Sequence, residues 1–389
     1  MKNEFSLLGI GQSFVEGLFI KRQNRFVIEC QINGENEFAH LPNPGRLWEL
    51  LLPNTRLLLV KNFNHNRKYN YTCYGVFKND EPVLLHTSRN NDIVEWILDS
   101  NLFSPLKGYK IISREVNIYN SRIDFLLGNS KEEIFIEVKS CTLFHKTLAM
   151  FPDAVTERGT RHLIELAKLK NQKRHGGILI IVHSGNVKYF LPEYHTDLKF
   201  AKTLYDLRNE LKVFAIGVQW SKNLTLNSMD LKPLVIPFSI ISNQAVDTGA
   251  YILIITNKND QEIEIGNLGK IKFQKGFYCY VGSAMKNLQQ RISRHRRFRK
   301  NFHWHIDYLI EKTSLLNTIV IRTTDRIECK LASDLKKISE TFIDKFGSSD
   351  CNCVSHLFFF NENPLSMKNF IDLILFYRME RLIEKYNLK

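Results

Sequence analysis

Apolar and polar positions alternate through most of the first 84 residues. The runs Phe14–Lys21, Phe26–Ile32, Thr55–Lys61 and Tyr69–Phe77 alternate or carry β-formers, and Asn, Gly and Pro turns separate them. About five short strands in this length suit a small barrel of the oligonucleotide-binding (OB) type. The pattern then changes. Ser88–Leu102 predicts a helix, with Ile93, Ile97 and Leu98 at core spacing. Val116–Tyr119, Ser121–Leu127 and Glu133–Val138 read as strands. Thr156–Lys173 predicts a second helix, striped by Leu163, Leu166 and Leu169, and Gly177–Val182 reads as a buried strand. Thr196–Leu211 and Val213–Gln219 extend this layer. Leu231–Thr248, with Pro233, Pro237 and a polar Ser242-Asn243-Gln244, reads as a linker. A strand at Tyr251–Thr256 opens another domain. The chain closes on an amphipathic helix bearing Phe370, Ile371, Ile374, Leu375 and Leu382, which docks on a domain of this chain or on a second copy, as in a homodimer. The expected fold class is thus α/β multidomain: a barrel over 1–84, an α/β domain over 85–232, a linker over 233–247, an α+β domain over 248–362 and a terminal helix over 363–389.

Candidate chemistry concentrates in the strand pair 121–138. Asp124 lies on the first strand, and the second ends Glu137-Val138-Lys139. Side chains alternate along a strand, so Glu137 and Lys139 share a face. Two carboxylates beside an ammonium suit a magnesium (or manganese) site that activates a water for phosphodiester hydrolysis. The alternative is an exposed edge where Glu137 and Lys139 merely pair. Ile134, Phe135, Ile136 and Val138 argue against it, because a carboxylate on so apolar a strand is costly to bury without a cation. The order helix, three strands, helix, strand resembles the PD-(D/E)xK nuclease core. Related folds take a further ligand from the preceding helix, which points to Glu95, with Glu115 as competitor.

Charge adds a partner. The net charge is +14, and the chain before and from Phe238 carries +7 in each part. A basic, aromatic-rich chain suits a polyanion such as nucleic acid. No apolar run is long enough to span a membrane, and the N-terminus lacks the pattern of a secretory leader. Seven scattered cysteines suit a reducing compartment, so a cytoplasmic location is expected. The loop Leu41-Pro42-Asn43-Pro44-Gly45-Arg46-Leu47 is stiffened by its prolines. Asn43 and Arg46 there are candidate nucleic-acid contacts, with Arg46 as a phosphate fork; alternatively Arg46 pairs with Glu49. Asp153 offers a cap for the following helix, and Arg158, Arg161 and His162 on that helix are further candidates to grip phosphate.

Several of these stretches together resemble one family. They are NRF from Asn24 to Phe26, LPNPGRL at 41–47, SRIDFLL at 121–127, IEVKS at 136–140 and FPDAVTERGTRHL at 151–163. They resemble the sugar fermentation stimulation protein family over roughly the first 235 residues. The resemblance implies a small barrel followed by a nuclease-like domain, with DNA binding as its activity.

A second signature follows the linker. Gly249-Ala250-Tyr251 and Tyr280-Val281-Gly282 resemble the name-giving triplets of GIY-YIG endonucleases, over about 249–360. The spacing between them is wider than in those modules and leaves room for an extra hairpin. The resemblance implies that Tyr251 and Tyr280 position a water, Arg291 stabilises phosphate charge and Glu328 holds a metal. Otherwise the tyrosines are core aromatics. Arg291, Arg294, Arg296, Arg297, Arg299 and Lys300 put six cations in ten residues with no acid among them, which suits a phosphate backbone better than a solvated face. Cys351-x-Cys353-x-x-His356, with Cys279 or Cys329, has zinc-ligating residue types. Its spacing is not the usual two-residue knuckle, and thiols buried in a core are the plainer reading. The expected function is a DNA-binding protein with a magnesium-dependent nuclease site. The alternatives are a non-catalytic DNA-binding regulator or architectural protein, and a nuclease acting on RNA.

Overall fold

The computed structural model describes residues 4–9, 12–62, 67–172, 174–297, 299 and 301–388. Two compact units divide the chain. The first runs to Ser242 and takes back the terminal stretch from Leu382; the second is Asn243–Arg381.

In the first unit, Phe14–Asn24, Val27–Ile32, Glu35–His40, Arg56–Lys61 and Tyr71–Lys78 form a closed five-stranded barrel. Closure comes from the parallel pairs Ala39↔Tyr71 and His40↔Thr72. The strand Glu81–Leu84 adds to its edge. Two turns are written into the sequence. Asn33 and Gly34 have φ of 51° and 89°, and Asn79 and Asp80 have 51° and 63°, the left-handed pairs that tight hairpins need. Ile28, Cys30, Ala39, Leu57, Leu59 and Cys73 fill the interior and are fully buried. The barrel begins at Phe14 rather than at the N-terminus. Glu4–Ser6 instead pairs with Thr225–Asn227, so the expected span 1–84 starts too early.

Beyond the barrel stands a mixed six-stranded sheet, ordered Leu231–Pro233, Leu211–Val218, His175–Val182, Glu133–Cys141, Ser121–Gly128, Lys110–Ile118. Glu133–Cys141 is central, parallel to His175–Val182 and antiparallel to Ser121–Gly128. The helices Glu157–Lys168 and Leu198–Asp206 are the crossovers that parallel strands require. Side-chain alternation sorts the core. Ile134, Ile136 and Val138 pack with Ile93, Val94 and Ile97 of the helix Asn90–Asp99, while Phe135 packs with Leu163 and Leu166 of Glu157–Lys168. Glu137 shares the face of Phe135 and so looks toward the second helix. That helix lies close on the sheet: a Cβ on Gly176 would stand 2.3 Å from the Leu166 carbonyl oxygen.

The stretch expected as a linker is partly helical, at Phe238–Gln244. Pro237 just before it suits a helix start, and burial of Ile240 and Ile241 gives the helix a reason to form. At the other end, the expected terminal helix begins at Lys368 and passes through a π-turn at Phe376–Glu380 to Arg381–Lys385. Its last residues return to the first unit, where the Thr147 hydroxyl donates to the Leu388 carbonyl at 3.1 Å.

In the second unit five antiparallel strands follow the order Ser314–Arg322, Gly249–Asn257, Gly276–Ala284, Leu357–Phe360, Thr341–Phe342. A separate hairpin, Gln261–Glu264 with Lys270–Phe273, occupies the long gap between the two glycine–tyrosine triplets. The helices Leu288–His295 and His305–Lys312 complete one core, and Glu328–Lys336 buries Leu331, Ala332 and Leu335.

Candidate active site

Asp124 and Glu137 meet where two strands part. Pairing between Glu133–Cys141 and Ser121–Gly128 ends at Ile136↔Phe125. Past that point the Val138 N–H has no ladder partner on that side, and it donates to Asp124 Oδ2 at 2.8 Å. The other carboxylate oxygen accepts from the Asn91 amide at 3.0 Å. Burial lifts the Asp124 carboxyl above its ordinary range, and the charge of Glu137 lifts it further.

Glu137 is only 3% exposed. Its Oε1 is held by the Lys139 ammonium and stands 2.8 Å from His162 Nδ1. Burial pushes this carboxyl up, but the hydrogen bonds and charges of His162 and Lys139 outweigh burial and hold it below its usual range. Its Oε2 is buried and has no hydrogen-bond partner. An ionised carboxylate with one sealed, unpaired oxygen is a costly arrangement unless a cation completes it. The oxygen donors of Asp124 and Glu137 are those a hard divalent ion takes, so the residues present fit magnesium or manganese.

A cavity of about 410 Å³ opens over these groups. The barrel loop lines it with Asn43, Pro44 and Gly45, the helix Asn90–Asp99 with Asn90 and Asn91, and the crossover helix start with Asp153, Thr156 and Arg158. The barrel loop is set by two anchors that lie far apart in sequence. The Arg22 guanidinium donates to the carbonyls of Asn43, Gly45 and Arg46 at 2.9, 2.5 and 3.0 Å. Asp153 Oδ2 accepts the N–H of Arg46 at 2.7 Å and of Leu47 at 3.3 Å.

Several expected roles change. Asn43 does line the cavity, but its side chain is 5% exposed and caps its own loop, accepting the Gly45 N–H at 2.9 Å. Arg46 is not a free phosphate fork. Its guanidinium donates to the Asp153 carbonyl and to Thr196 Oγ1 at 2.6 Å. Neither is it paired with Glu49, whose Oε1 is sealed and whose carboxyl burial raises to about 7. Asp153 serves the barrel loop, and Thr156 caps the helix in its place, accepting the Gly159 N–H. Glu95 does not line the cavity; it pairs with Arg114, and Glu115 pairs with Arg122. Asn91, one helical turn before Glu95, is the residue that reaches Asp124. His162 is buried behind Glu137, and its Nε2 accepts from Arg158 Nε at 3.2 Å. Arg161 turns away toward Ser121, at 3.5 Å, and does not line the cavity.

In the second unit, Tyr251 and Gly282 face each other across paired strands, and a Cβ on Gly282 would come within 2.5 Å of the Tyr251 ring. The Tyr251 hydroxyl is 2.8 Å from His295 Nε2. Tyr251 and Tyr280 are buried, and burial pushes both phenols up; Arg291 and Glu328 are close enough to act on both. The structure therefore groups the four. Arg291 also stacks on Trp304, at 4.3 Å. Of the six cations, Arg291 and Arg294 lie on the helix Leu288–His295, and the others follow it. Arg294 is neutralised, giving two 3.0 Å hydrogen bonds to the buried Asp307. Arg296, Arg297 and Arg299 are exposed, and Lys300 lies outside the described residues.

Comparisons with known proteins follow the same division. The SfsA N-terminal OB domain matches residues 20–85, and the sugar fermentation stimulation protein RE domain matches 88–224. The domain of unknown function DUF123 matches 250–376. The sugar fermentation stimulation protein homolog of Methanothermobacter thermautotrophicus is 37% identical over 190 residues, covering 49% of this chain and 79% of that protein. The Clostridium botulinum (strain Alaska E43) homolog is 40% identical over 207 residues, covering 53% and 90%. A solved structure of Pyrococcus furiosus SfsA in complex with Ca2+ is similar with a TM-score of 0.53 and 28% identity, covering 60% of this chain and 99% of that one. Among the described residues no helix is long and apolar enough to cross a membrane. The chain belongs to the sugar fermentation stimulation protein family, with its OB and SfsA domains followed by a GIY-YIG-like domain of unknown function.

Proposed function

We propose that the first unit is a DNA-binding, divalent-metal-dependent phosphodiesterase built on a PD-(D/E)xK-like core. The observation that carries this reading is the unpartnered, sealed Oε2 of Glu137 beside Asp124, at the floor of a cavity that the barrel loop also lines. Calcium in the Pyrococcus furiosus relative supports it, because calcium and magnesium both take oxygen donors. Asp124 and Glu137 would hold the ion. When bound, such an ion lowers the pKa of a coordinated water and neutralises charge on the phosphate. Lys139 sits on Glu137, and its ammonium would orient an attacking water by hydrogen bonding. His162 fixes Glu137 from behind, and the exposed Arg158 at the rim meets a phosphate.

The test is cleavage of supercoiled plasmid and of labelled single strands of DNA and RNA with Mg2+ or Mn2+. Wild type nicks DNA; Asp124→Ala and Lys139→Ala lose at least a hundredfold in rate while still binding; Tyr280→Phe, in the second unit, keeps the activity. Binding without any cleavage would make the chain a non-catalytic DNA-binding protein. Cleavage that survives Asp124→Ala but not Tyr280→Phe would move the chemistry to the GIY-YIG-like unit.

A further inference from the structure

The second unit brings together four soft ligands that its chain scatters. Cys329 is the second residue of the helix Glu328–Lys336, while Cys351, Cys353 and His356 come from the loop before the strand Leu357–Phe360. Their donor atoms, three thiol sulfurs and a ring nitrogen, all lie within 4.8 Å of one another. All three cysteines are free. Cys279, the other thiol considered for this set, is buried in the strand Gly276–Ala284 and stands outside it.

We infer that Cys329, Cys351, Cys353 and His356 bind one structural zinc ion. Three thiolates and an imidazole form a closed set for tetrahedral zinc, whose bonds to sulfur of about 2.3 Å put sulfurs about 3.8 Å apart. The observed cluster needs only a small contraction to reach that size. A second observation concerns His356. Its Nε2 lies 3.4 Å from Cys351 Sγ, and its Nδ1 lies 3.3 Å from Glu328 Oε1. A carboxylate on the far nitrogen is the arrangement that fixes the tautomer and aim of a zinc-bound histidine. The loop itself supplies a third. Its ends are tied by Lys345 N–H to the Val354 carbonyl and by His356 N–H to the Phe346 carbonyl. Between them it is largely polar: Ser349, Asp350 and Asn352 are exposed, and even Val354 is 44% exposed. Such a loop has little apolar burial to set against its ordering entropy, and metal binding supplies what packing does not.

The zinc acts on the neighbouring tyrosine group without touching it. It pins His356, and His356 pins Glu328, whose other oxygen takes the Ser283 hydroxyl. It also fixes the loop at Gly347, whose backbone packs so close to Tyr280 that a Cβ there would be 2.8 Å from the ring. Glu328 is in this view a residue that the metal positions, so less of its carboxylate is left to ligate a second ion.

The full chain, purified without added metal, should carry one zinc per molecule by elemental analysis, released stoichiometrically by a mercurial titrant. Cobalt substitution should give the visible bands of tetrahedral cobalt with thiolate charge transfer. Cys351→Ser and Cys353→Ser should lose the metal, whereas Cys279→Ser and Asp124→Ala should keep it. Chelation should lower the Tm of wild type, and Cys329→His should retain zinc where Cys329→Ser does not. Wild-type protein that takes up no zinc at micromolar concentration overturns the inference. So does iron in place of zinc, or a two-dalton mass loss showing a disulfide among the three thiols. The wild-type metal content decides the matter even where a serine variant fails to fold.

Discussion

His162 Nδ1 stands 2.8 Å from Glu137 Oε1, with both side chains almost wholly withdrawn from solvent. A helix residue thus holds the carboxylate of a central strand at the angle where Lys139 also reaches it. The pairing has a pH signature. Glu137 sits below its ordinary range in the folded chain, so it stabilises the fold above the unfolded glutamate value of about 4.3, and that contribution is lost as pH falls through the folded value. His162→Ala should lower stability at pH 7 by about 1–3 kcal/mol and flatten the acid limb of the stability profile. Urea unfolding of wild type and variant from pH 3 to 7 measures both. An acid limb unchanged by the substitution would show that Glu137 draws its low pKa from elsewhere.

Asp124 has the opposite sign. Its folded value is raised, so ionisation costs stability at neutral pH, and the cost is relieved as pH falls through that value. Asp124→Asn should therefore leave the metal-free protein at least as stable as wild type while it removes a metal ligand. Thermal melts with calcium or magnesium should show a rising Tm for wild type, equivalent to about 2.7 kcal/mol at a hundredfold excess over Kd, and no rise for the variant. Equal metal-induced gains in both proteins count against the proposed ligand.

Glu49 extends the pH argument into the neutral range. Its carboxyl is raised to about 7 by burial. Stability from this group is fully present below the unfolded value of about 4.3 and is lost as pH rises through about 7, a change of about 4 kcal/mol. Glu49→Gln should show no such loss between pH 5 and 8.5, and chemical denaturation at the two pH values decides it.

Two kinds of arginine should separate in the basic segment of the second unit. Arg294→Ala removes the guanidinium from the buried Asp307, which keeps the N–H groups of His303 and Trp304, and should cost about 1–3 kcal/mol in stability. The exposed pair Arg296→Ala and Arg297→Ala should leave Tm within a degree or two. If these side chains meet phosphates, the slope of log affinity for DNA against log salt falls by roughly 0.7–0.9 for each. A slope unmoved by the double substitution removes them from the DNA contact.

What the sequence made legible was local. Asp124, Glu137 and Lys139 could be found because strand periodicity is two, and because an acid on an apolar strand is conspicuous. The sequence points to Glu95 because related folds take a ligand from the preceding helix; Asn91, one turn earlier on the same face, is the residue that meets Asp124, and sequence does not say which turn meets the strand end. Arg46 carried a phosphate-binding look, yet its partner Asp153 lies 107 residues away, and no local pattern encodes that distance. Arg294 looks uncompensated in sequence for the same reason, since Asp307 returns from the next helix. Leu231–Thr248 reads as a linker from its two prolines and its polar Ser242-Asn243-Gln244, yet burial of Ile240 and Ile241 makes Phe238–Gln244 a helix.

Gly45 has so little room beside Asp153 that a Cβ there would lie 2.5 Å from the carboxylate. That carboxylate belongs to the layer of the six-stranded sheet, and the two backbone N–H groups it takes belong to the barrel. The barrel is therefore not an exchangeable cassette. A barrel transplanted from a relative should dock only if it brings a glycine at this point and offers both amides to the recipient's aspartate. Divergence on either side is thereby tethered, and substitutions at the two positions should be inherited together.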